Sequence, residues 1–152
     1  KNGFNSDLLM GPMKEKTFRL FDHTADLGVE IFGGSREELF VHAALAVVEL
    51  TTDPERIDPV LERRFSVEGL DLNDLFVNYL REVLYLVNGD GFLIREVTVE
   101  MEDSCRLRAK LRGEPFTPGK HRINKEIKAV TYHQVSVEKT AKGWKGRVIF
   151  DV

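Results

Sequence analysis

The chain has 152 residues, of which 42% are hydrophobic, and its formal net charge is −3. These values predict one domain with its own core and argue against a protein that holds nucleic acid through a basic surface. The single cysteine, Cys105, excludes an intramolecular disulfide, a cysteine–histidine zinc ribbon and an iron–sulfur cluster. No apolar run approaches the ~18–20 residues that span a bilayer, so we expect a cytoplasmic protein.

Two short strands are predicted near the amino end. Residues 1–12 have no clear periodicity, and we interpret them as a tag-like or disordered extension of a domain at 13–152. Residues 18–21 and 29–32 are rich in apolar side chains, and the polar segment 22–26 separates them. We therefore expect a strand on each side of a polar connection.

Two amphipathic helices are predicted next. Ser35 and Glu38 have the spacing of a capping box, in which each side chain bonds a backbone N–H near the other residue. Asp71 is predicted to cap a second helix with a wide apolar stripe from Leu72 to Val87. The pair Asn88-Gly89 is predicted to end this helix, because both residues tolerate a left-handed backbone.

The other segments alternate polar and apolar residues and predict strands. One lies between the helices at 64–68, and four follow at 96–101, 106–112, 127–138 and 144–151. The predicted order is ββαβαββββ. This order implies the α+β class: a single-domain sandwich of a mostly antiparallel sheet, with two amphipathic helices covering one face.

The connection between the first two strands concentrates polar groups that could bind a metal. It reads Asp22-His23-Thr24-Ala25-Asp26, with two carboxylates and an imidazole within five residues. A tight turn that lets Asp22 and Asp26 converge would supply the oxygen ligands that calcium, magnesium and manganese prefer. The alternative is an ordinary turn in which Asp22 and Thr24 bond the backbone and His23 is exposed.

The chain end is a second candidate, because Asp151 and the terminal carboxylate of Val152 lie within a few ångströms of each other along the chain. A divalent cation would relieve their repulsion. If the turn bearing Asp26 lies beside this end, the three carboxyl groups make an oxygen-rich site. The alternative is a frayed terminus with no function.

Polar residues also interrupt the strand predicted at 127–138. Alternation places Lys128 at a sheet margin or against a carboxylate, and it could orient a phosphate or fix a nearby aspartate. A solvated lysine is the alternative, and His133 could equally be a structural histidine.

One strand face carries four cations, which could contact RNA or an acidic partner: Arg106, Arg108, Lys110 and Arg112. Cross-strand pairs with Glu96 and Glu100 would explain this row without a ligand. The segment 89–91 lacks the spacing of a calcium loop or phosphate cradle and is interpreted as a turn.

Three segments together resemble the archease family. They are Asp-His-Thr-Ala-Asp-Leu-Gly at 22–28, Glu-Ile-Lys-Ala-Val-Thr-Tyr-His at 126–133 and the closing Phe-Asp-Val at 150–152. The resemblance spans residues 17–152 in the same order and spacing.

The resemblance implies a divalent metal site, with calcium as the expected ion and magnesium or manganese as alternatives. Its ligands would be Asp26, Asp151 and the terminal carboxylate of Val152. A candidate surface for ligase activation would carry the matching residues Asp22, His23, Lys128 and His133. The implied partner is an RtcB-type tRNA-splicing RNA ligase, whose guanylylation and multiple turnover archeases promote. The protein would be a monomer that contacts tRNA only through the ligase and catalyses no reaction itself.

Two other functions remain open from the residues. The same carboxylates could activate water in a metal-dependent hydrolase or nuclease, although the sequence offers no second ligand cluster, phosphate loop or basic groove. Alternatively, the chain could be a chaperone or binding module for RNA-processing enzymes, with a purely structural metal.

Overall fold

The structure is a computed structural model, and it describes residues 17–21 and 26–152. The predicted extension at 1–12, together with Asp22 and His23, lies outside the described residues. The described elements are β1 (Phe18–Phe21), β2 (Leu27–Gly33), α1 (Arg36–Thr51), β3 (Leu61–Glu68), α2 (Leu72–Leu84), β4 (Phe92–Asp103), β5 (Arg106–Pro115), β6 (Ala129–Thr140) and β7 (Gly143–Asp151). The predicted class, α+β, and the predicted order, ββαβαββββ, are confirmed.

The strands form two sheets in which every pair is antiparallel. The first sheet has the order β1-β2-β7-β6, and the second has the order β3-β5-β4. Alternation in the sequence specified which face of each strand is apolar, but it did not specify which strands pair. The sequence predicted one mostly antiparallel sheet, whereas the strands form two, because alternation does not determine which distant strands pair.

Both helices begin where their capping residues predict. The Ser35 hydroxyl accepts from the Glu38 N–H at 3.1 Å, and the Asp71 carboxylate accepts from the Asp74 N–H at 2.8 Å. The Glu38 side chain accepts from the N–H of Gly34, one residue before the position expected in a capping box. Neither described helix has the length and apolar character needed to cross a membrane.

The end of α2 differs from the prediction. The helix stops at Leu84 and continues as one wide turn of π-helix over Tyr85–Gly89, so Asn88 and Gly89 do not adopt the left-handed backbone. Gly91 adopts the left-handed backbone instead, with a φ of 63°. Asn88 instead donates from its side chain to the carbonyl of Ile127 at 2.8 Å, which ties the end of α2 to the segment before β6.

The core lies where the helices meet both sheets. Helix α1 contacts β2 and β4, and α2 contacts β6 and β3, so each helix touches strands of both sheets. The buried rings of Phe76 and Tyr79 pack edge-on against Phe40 at centroid distances of 5.2 and 5.1 Å. This packing fixes the inner face of the first sheet and leaves its other face available for a site.

Candidate metal site and surrounding surface

Strand register brings the two acidic candidates to the same end of the first sheet. Leu27 of β2 pairs with Phe150 of β7, so Asp26, which precedes Leu27, and Asp151, which follows Phe150, lie at the same end of the sheet. On the other side of β7, Ala129 pairs with Asp151. Asp26, directly before β2, and Asp151, at the end of β7, therefore lie at the same end of the first sheet.

The two aspartates share the face of the sheet that points away from the helices. Leu27 and Phe150 pack into the core, so alternation directs Asp26 and Asp151 to the opposite face. Val152 packs its side chain against the core, which argues against a frayed terminus. We call Asp26, Asp151 and the terminal carboxylate of Val152 the acidic edge.

The donors of the acidic edge suit a hard cation, because all of them are carboxylate oxygens. Among the residues that the structure describes, no three His, Cys, Asp or Glu side chains form a metal-binding group. The acidic edge has only two such side chains, and its third donor is a terminal carboxylate. The predicted coordination by Asp26, Asp151 and Val152 therefore stays a prediction that agrees with the donor chemistry.

Lys128 lies at the same end of the sheet. It is exposed and lies one residue before β6, which matches the predicted place at a sheet margin. Its backbone N–H donates to the backbone carbonyl of Asp151 at 2.8 Å. A groove of about 340 Å³ beside it is also lined by Arg81, Tyr85 and Asn88. Tyr85 is 63% exposed, so an aromatic ring and the cations Arg81 and Lys128 line this groove.

His133 lies in a bulge of β6. The pairing of β6 with β7 is interrupted between Thr131 and Ser136, and Gln134 within this interval has a φ of 57°. A left-handed backbone is uncommon for a residue other than glycine, and bulges often direct a side chain toward a functional site. His133 is exposed and lies 3.4 Å from the Gln134 amide nitrogen. The bulge lies opposite the part of β7 that is about three residues before Asp151. At ~3.3 Å per residue, this separation along the strand is roughly 10 Å.

Tyr132 anchors the bulge to α2. Its hydroxyl donates to the Asp74 carboxylate at 2.7 Å, and the Arg81 guanidinium lies over its ring at 4.9 Å. Hydrogen bonds from the backbone N–H of Leu70 and from Tyr132 lower the pKa of Asp74. The same bond to Asp74 raises the pKa of Tyr132, so the hydroxyl keeps its proton and remains a donor.

Sequence reasoning missed a cluster on the outer face of the first sheet. Glu30 of β2 and Arg147 of β7 are cross-strand partners and form an ion pair at 3.1 Å. Alternation places Glu30 on the face opposite the core, where a carboxylate is unremarkable. Only the register with β7 reveals its partner, and that register could not be derived from one sequence.

The row of cations on β5 is largely explained by cross-strand partners. Arg108 bonds Glu100, as expected, and also approaches Glu102 at 3.4 Å. Arg106 bonds Glu68 of β3 at 2.8 Å. The expected pairing with the preceding strand is therefore confirmed for Arg108, whereas the ion pair of Arg106 is with β3 instead.

A second polar cluster closes the loop between β5 and β6. The Glu114 carboxylate accepts from the Lys120 ammonium at 2.8 Å and from the buried His121 ring at 2.8 Å. The Nδ1 atom of His121 accepts from the N–H of Thr117 at 2.9 Å, so Nε2 carries the ring proton toward Glu114. The bonds from Lys120 and the backbone N–H of Asp58 lower the pKa of Glu114 to about 2.

Comparisons with known proteins extend over nearly the whole domain. The model of the Archease protein family matches residues 18–152. The protein archease of Methanosarcina mazei is 37% identical over 146 residues, covering 93% of this chain and 99% of that protein. The protein archease of Pyrococcus abyssi is 33% identical over 141 residues, covering 90% and 99% respectively.

A solved structure has the same fold. The solution structure of Methanobacterium thermoautotrophicum protein 1598 superposes with a TM-score of 0.75 at 33% identity, and the match covers 90% of this chain and 99% of that one. Both sides of the acidic edge fall within the residues that the family model matches.

Proposed function

The chain belongs to the archease family, and we propose that it is a metal-binding protein cofactor of an RtcB-type tRNA-splicing RNA ligase. In this role it promotes guanylylation of the ligase and its multiple turnover. The reaction centre belongs to the ligase, and this chain supplies no catalysis of its own. It acts as a monomer in the cytoplasm and contacts tRNA only through the ligase.

The observation that supports this proposal is the register of β2 with β7, which pairs Leu27 with Phe150 and so brings Asp26 and Asp151 to the same end of the first sheet. A divalent cation bound by both carboxylates would have the oxygen ligands that calcium, magnesium and manganese prefer. Val152 follows Asp151 directly and packs its side chain against the core, so its terminal carboxylate would be the third donor.

The donor set favours calcium, with magnesium and manganese as alternatives. Carboxylate oxygens suit all three ions, and an edge open to water suits the flexible coordination of calcium better than the strict octahedron of magnesium. When bound, a divalent cation supplies positive charge that phosphate oxygens can share. Lys128 adds a fixed cation at the same end of the sheet.

The surface around the acidic edge supports contact with the ligase. Lys128 and His133 are exposed beside it, and the archease resemblance adds Asp22 and His23, which lie outside the described residues. Docking at the nucleotide cleft of the ligase would bring the acidic edge to the histidine that becomes guanylylated. Holding reacting groups in position is a recognised source of rate enhancement.

The direct test is a ligase guanylylation assay with and without this protein, run in calcium, magnesium and manganese. The variants Asp26→Asn and Asp151→Asn remove charge from the acidic edge without changing side-chain size. Glu96→Gln is the matched control, because this exposed carboxylate lies on the second sheet. We expect each aspartate variant to lose about tenfold or more of the stimulation, which is the scale of metal-site substitutions. The control should retain all of it.

Full stimulation by both aspartate variants would contradict the proposal. Hydrolysis of RNA or nucleotide by the purified protein alone would instead favour a metal-dependent hydrolase. If turnover of fully soluble ligase were unchanged by the protein, a chaperone or binding role would replace activation.

A further inference from the structure

One cation at the centre of the second sheet has no carboxylate opposite it. Lys110 lies on the middle strand, β5, and its directly opposed residues are Arg64 of β3 and Thr98 of β4. Each of the other cations in this row faces at least one carboxylate, in the pairs Arg106 with Glu68 and Asp103, Arg108 with Glu100, and Arg112 with Glu62 and Glu96. Cross-strand charge compensation therefore fails at Lys110.

The arginine opposite Lys110 adds to this excess of positive charge. Like charges in directly opposed positions destabilise a sheet. Arg64 Nε donates to the Glu62 carboxylate at 2.6 Å, and this bond lowers the pKa of Glu62. The charges of Lys110 and Arg112 lower the same pKa, so one carboxylate serves three cations. Within the described part of the chain, Lys110 itself forms no ion pair.

A depression of about 560 Å³ lies over these two cations on the outer face of the second sheet. Besides Lys110 and Arg64, it is lined by Arg108 and by the hydroxyl-bearing residues Ser66 and Thr98. The residues that alternate with Lys110 and Arg108 along β5 are buried in the core, so both cations point to the outer face. The depression thus offers three cationic side chains and two hydroxyls, all of which can donate hydrogen bonds to one anion.

Carboxylates at both ends of this row limit the size of the anion that fits. Glu100 lines the depression on one side and forms an ion pair with Arg108. Toward the other end of the row, Glu62 and Glu96 face Arg112. An extended polyanion such as an RNA backbone would meet these carboxylates, whereas one compact anion would contact only the depression between them.

The lining of the depression favours a phosphate group over a carboxylate or a nucleobase. A phosphate group carries about two negative charges and three strong acceptor oxygens, so several cations and hydroxyls can bond it together. A carboxylate offers one charge and fewer oxygens. Among the lining residues only Phe65 is aromatic, and its ring packs against the buried Tyr79 at a centroid distance of 5.9 Å. A nucleobase therefore finds no exposed ring on which to stack.

We propose that this depression is a binding site for one phosphate group of a small ligand, whose source is free inorganic phosphate or the phosphate chain of a nucleotide. Lys110 and Arg64 attract the anion, because their charges are not balanced by opposed carboxylates. Arg108 and the hydroxyls of Ser66 and Thr98 add hydrogen bonds from the sides. The site lies on the second sheet and uses no residue of the acidic edge, so it stands independently of the proposed function.

The first experiment titrates the full chain with inorganic phosphate and follows the backbone amides by NMR. A chelating resin first removes divalent cations, so that phosphate cannot bind through a metal at the acidic edge. Constant ionic strength keeps the screening of surface charges the same throughout. We expect saturable shifts centred on Ser66, Thr98 and Lys110, and none when chloride replaces phosphate. Shifts that do not saturate, or that spread over every basic surface, would overturn the site.

Three substitutions test which charges matter. Lys110→Gln should weaken phosphate binding about fivefold, the upper range for an exposed ion pair. Arg106→Gln is the matched control, because it removes the same charge from the same strand, but Arg106 pairs with Glu68 outside the depression. This control should bind phosphate like the unsubstituted protein. Glu62→Gln should tighten binding, because it releases Arg64 from its ion pair. Equal weakening in Lys110→Gln and Arg106→Gln would reduce the effect to net charge and overturn the site.

Two further ligands identify the source of the phosphate. Tripolyphosphate and GTP carry the same phosphate chain, and only GTP has a base. Because the depression has no exposed ring, we expect both to shift the same amides with equal affinity. Tighter binding of both than of inorganic phosphate assigns the site to a nucleotide's phosphate chain, and the reverse order assigns it to free phosphate. Tighter binding of GTP than of tripolyphosphate, or of a short polyglutamate peptide than of any phosphate, would overturn the proposal.

Discussion

Gly28 of the segment Asp-His-Thr-Ala-Asp-Leu-Gly is required by a close contact with Phe21. The two residues are cross-strand partners, and a Cβ added to Gly28 would lie 2.4, 2.5 and 2.7 Å from three atoms of the Phe21 ring. Ordinary contacts at such a Cβ begin near 3.4 Å, so the ring would have to move by about 1 Å. Because the Arg147 guanidinium lies over this ring, a movement of the ring in Gly28→Ala also disturbs the contact between them.

The cost follows from overpacking. Adding a methyl group where no space exists typically costs about 1–3 kcal/mol, because side chains or backbone must shift to make room. We therefore expect Gly28→Ala to lower the free energy of unfolding by about 1–3 kcal/mol. For a chain of this size, Tm should fall by roughly 2–4 °C for each kcal/mol.

The assay is a double-mutant cycle by thermal and urea denaturation. Removing the ring first, with Phe21→Ala, should make a subsequent Gly28→Ala nearly neutral, because the added methyl group then has open space. Gly34→Ala is the control, since its Cβ would meet only the movable Glu38 carboxylate at 3.2 Å. The reasoning is refuted if Gly28→Ala costs the same with and without the Phe21 ring.

Two further predictions concern polar groups away from the acidic edge. Tyr79→Phe removes a buried hydroxyl that donates to the Phe40 carbonyl at 2.8 Å, so urea denaturation should show the free energy of unfolding lowered by about 0.5–1.5 kcal/mol. The control Tyr85→Phe, on the surface, should change that free energy by less than about 0.5 kcal/mol. Glu114 has a folded-state pKa of about 2 against an ordinary 4.5, mainly because of Lys120, so its contribution is present above pH 4.5 and is lost as pH falls toward 2. Glu114→Gln should flatten the stability curve in that window, and parallel curves for the two proteins would contradict the assignment.

Local chemistry made the fold class and the element order predictable. Ser35 and Asp71 cap the helices through bonds to residues three positions away, so a short stretch of sequence contains all the necessary information. The end of α2 was less predictable, because Asn88 bonds Ile127, 39 residues distant, and the helix continues as a π turn up to that contact. Pairing between strands is equally non-local, which is why one sequence did not reveal the second sheet.

The same distinction applies to the candidate site. Asp26 and Asp151 could be singled out because carboxylates at a turn and a chain end are visible in the sequence. The link from Glu30 through Arg147 to Gln134 could not, because it joins β2, β7 and the β6 bulge through the register of the first sheet. The left-handed backbone of Gln134 gave no local signal, since glutamine carries no preference for that conformation.

Directly opposed strand positions in both sheets carry compensating charges, as in Glu30 with Arg147, Glu68 with Arg106 and Glu100 with Arg108.

Two cations also oppose each other, Arg64 and Lys110, but there the Glu62 carboxylate accepts from Arg64 at 2.6 Å. The metal site proposed for Asp26, Asp151 and the terminal carboxylate of Val152 would place a divalent cation at the same end of the first sheet as the exposed Lys128. The two positive charges together would attract a phosphate group. A proposed site of this kind suits a partner that handles nucleotides better than it suits a purely structural ion.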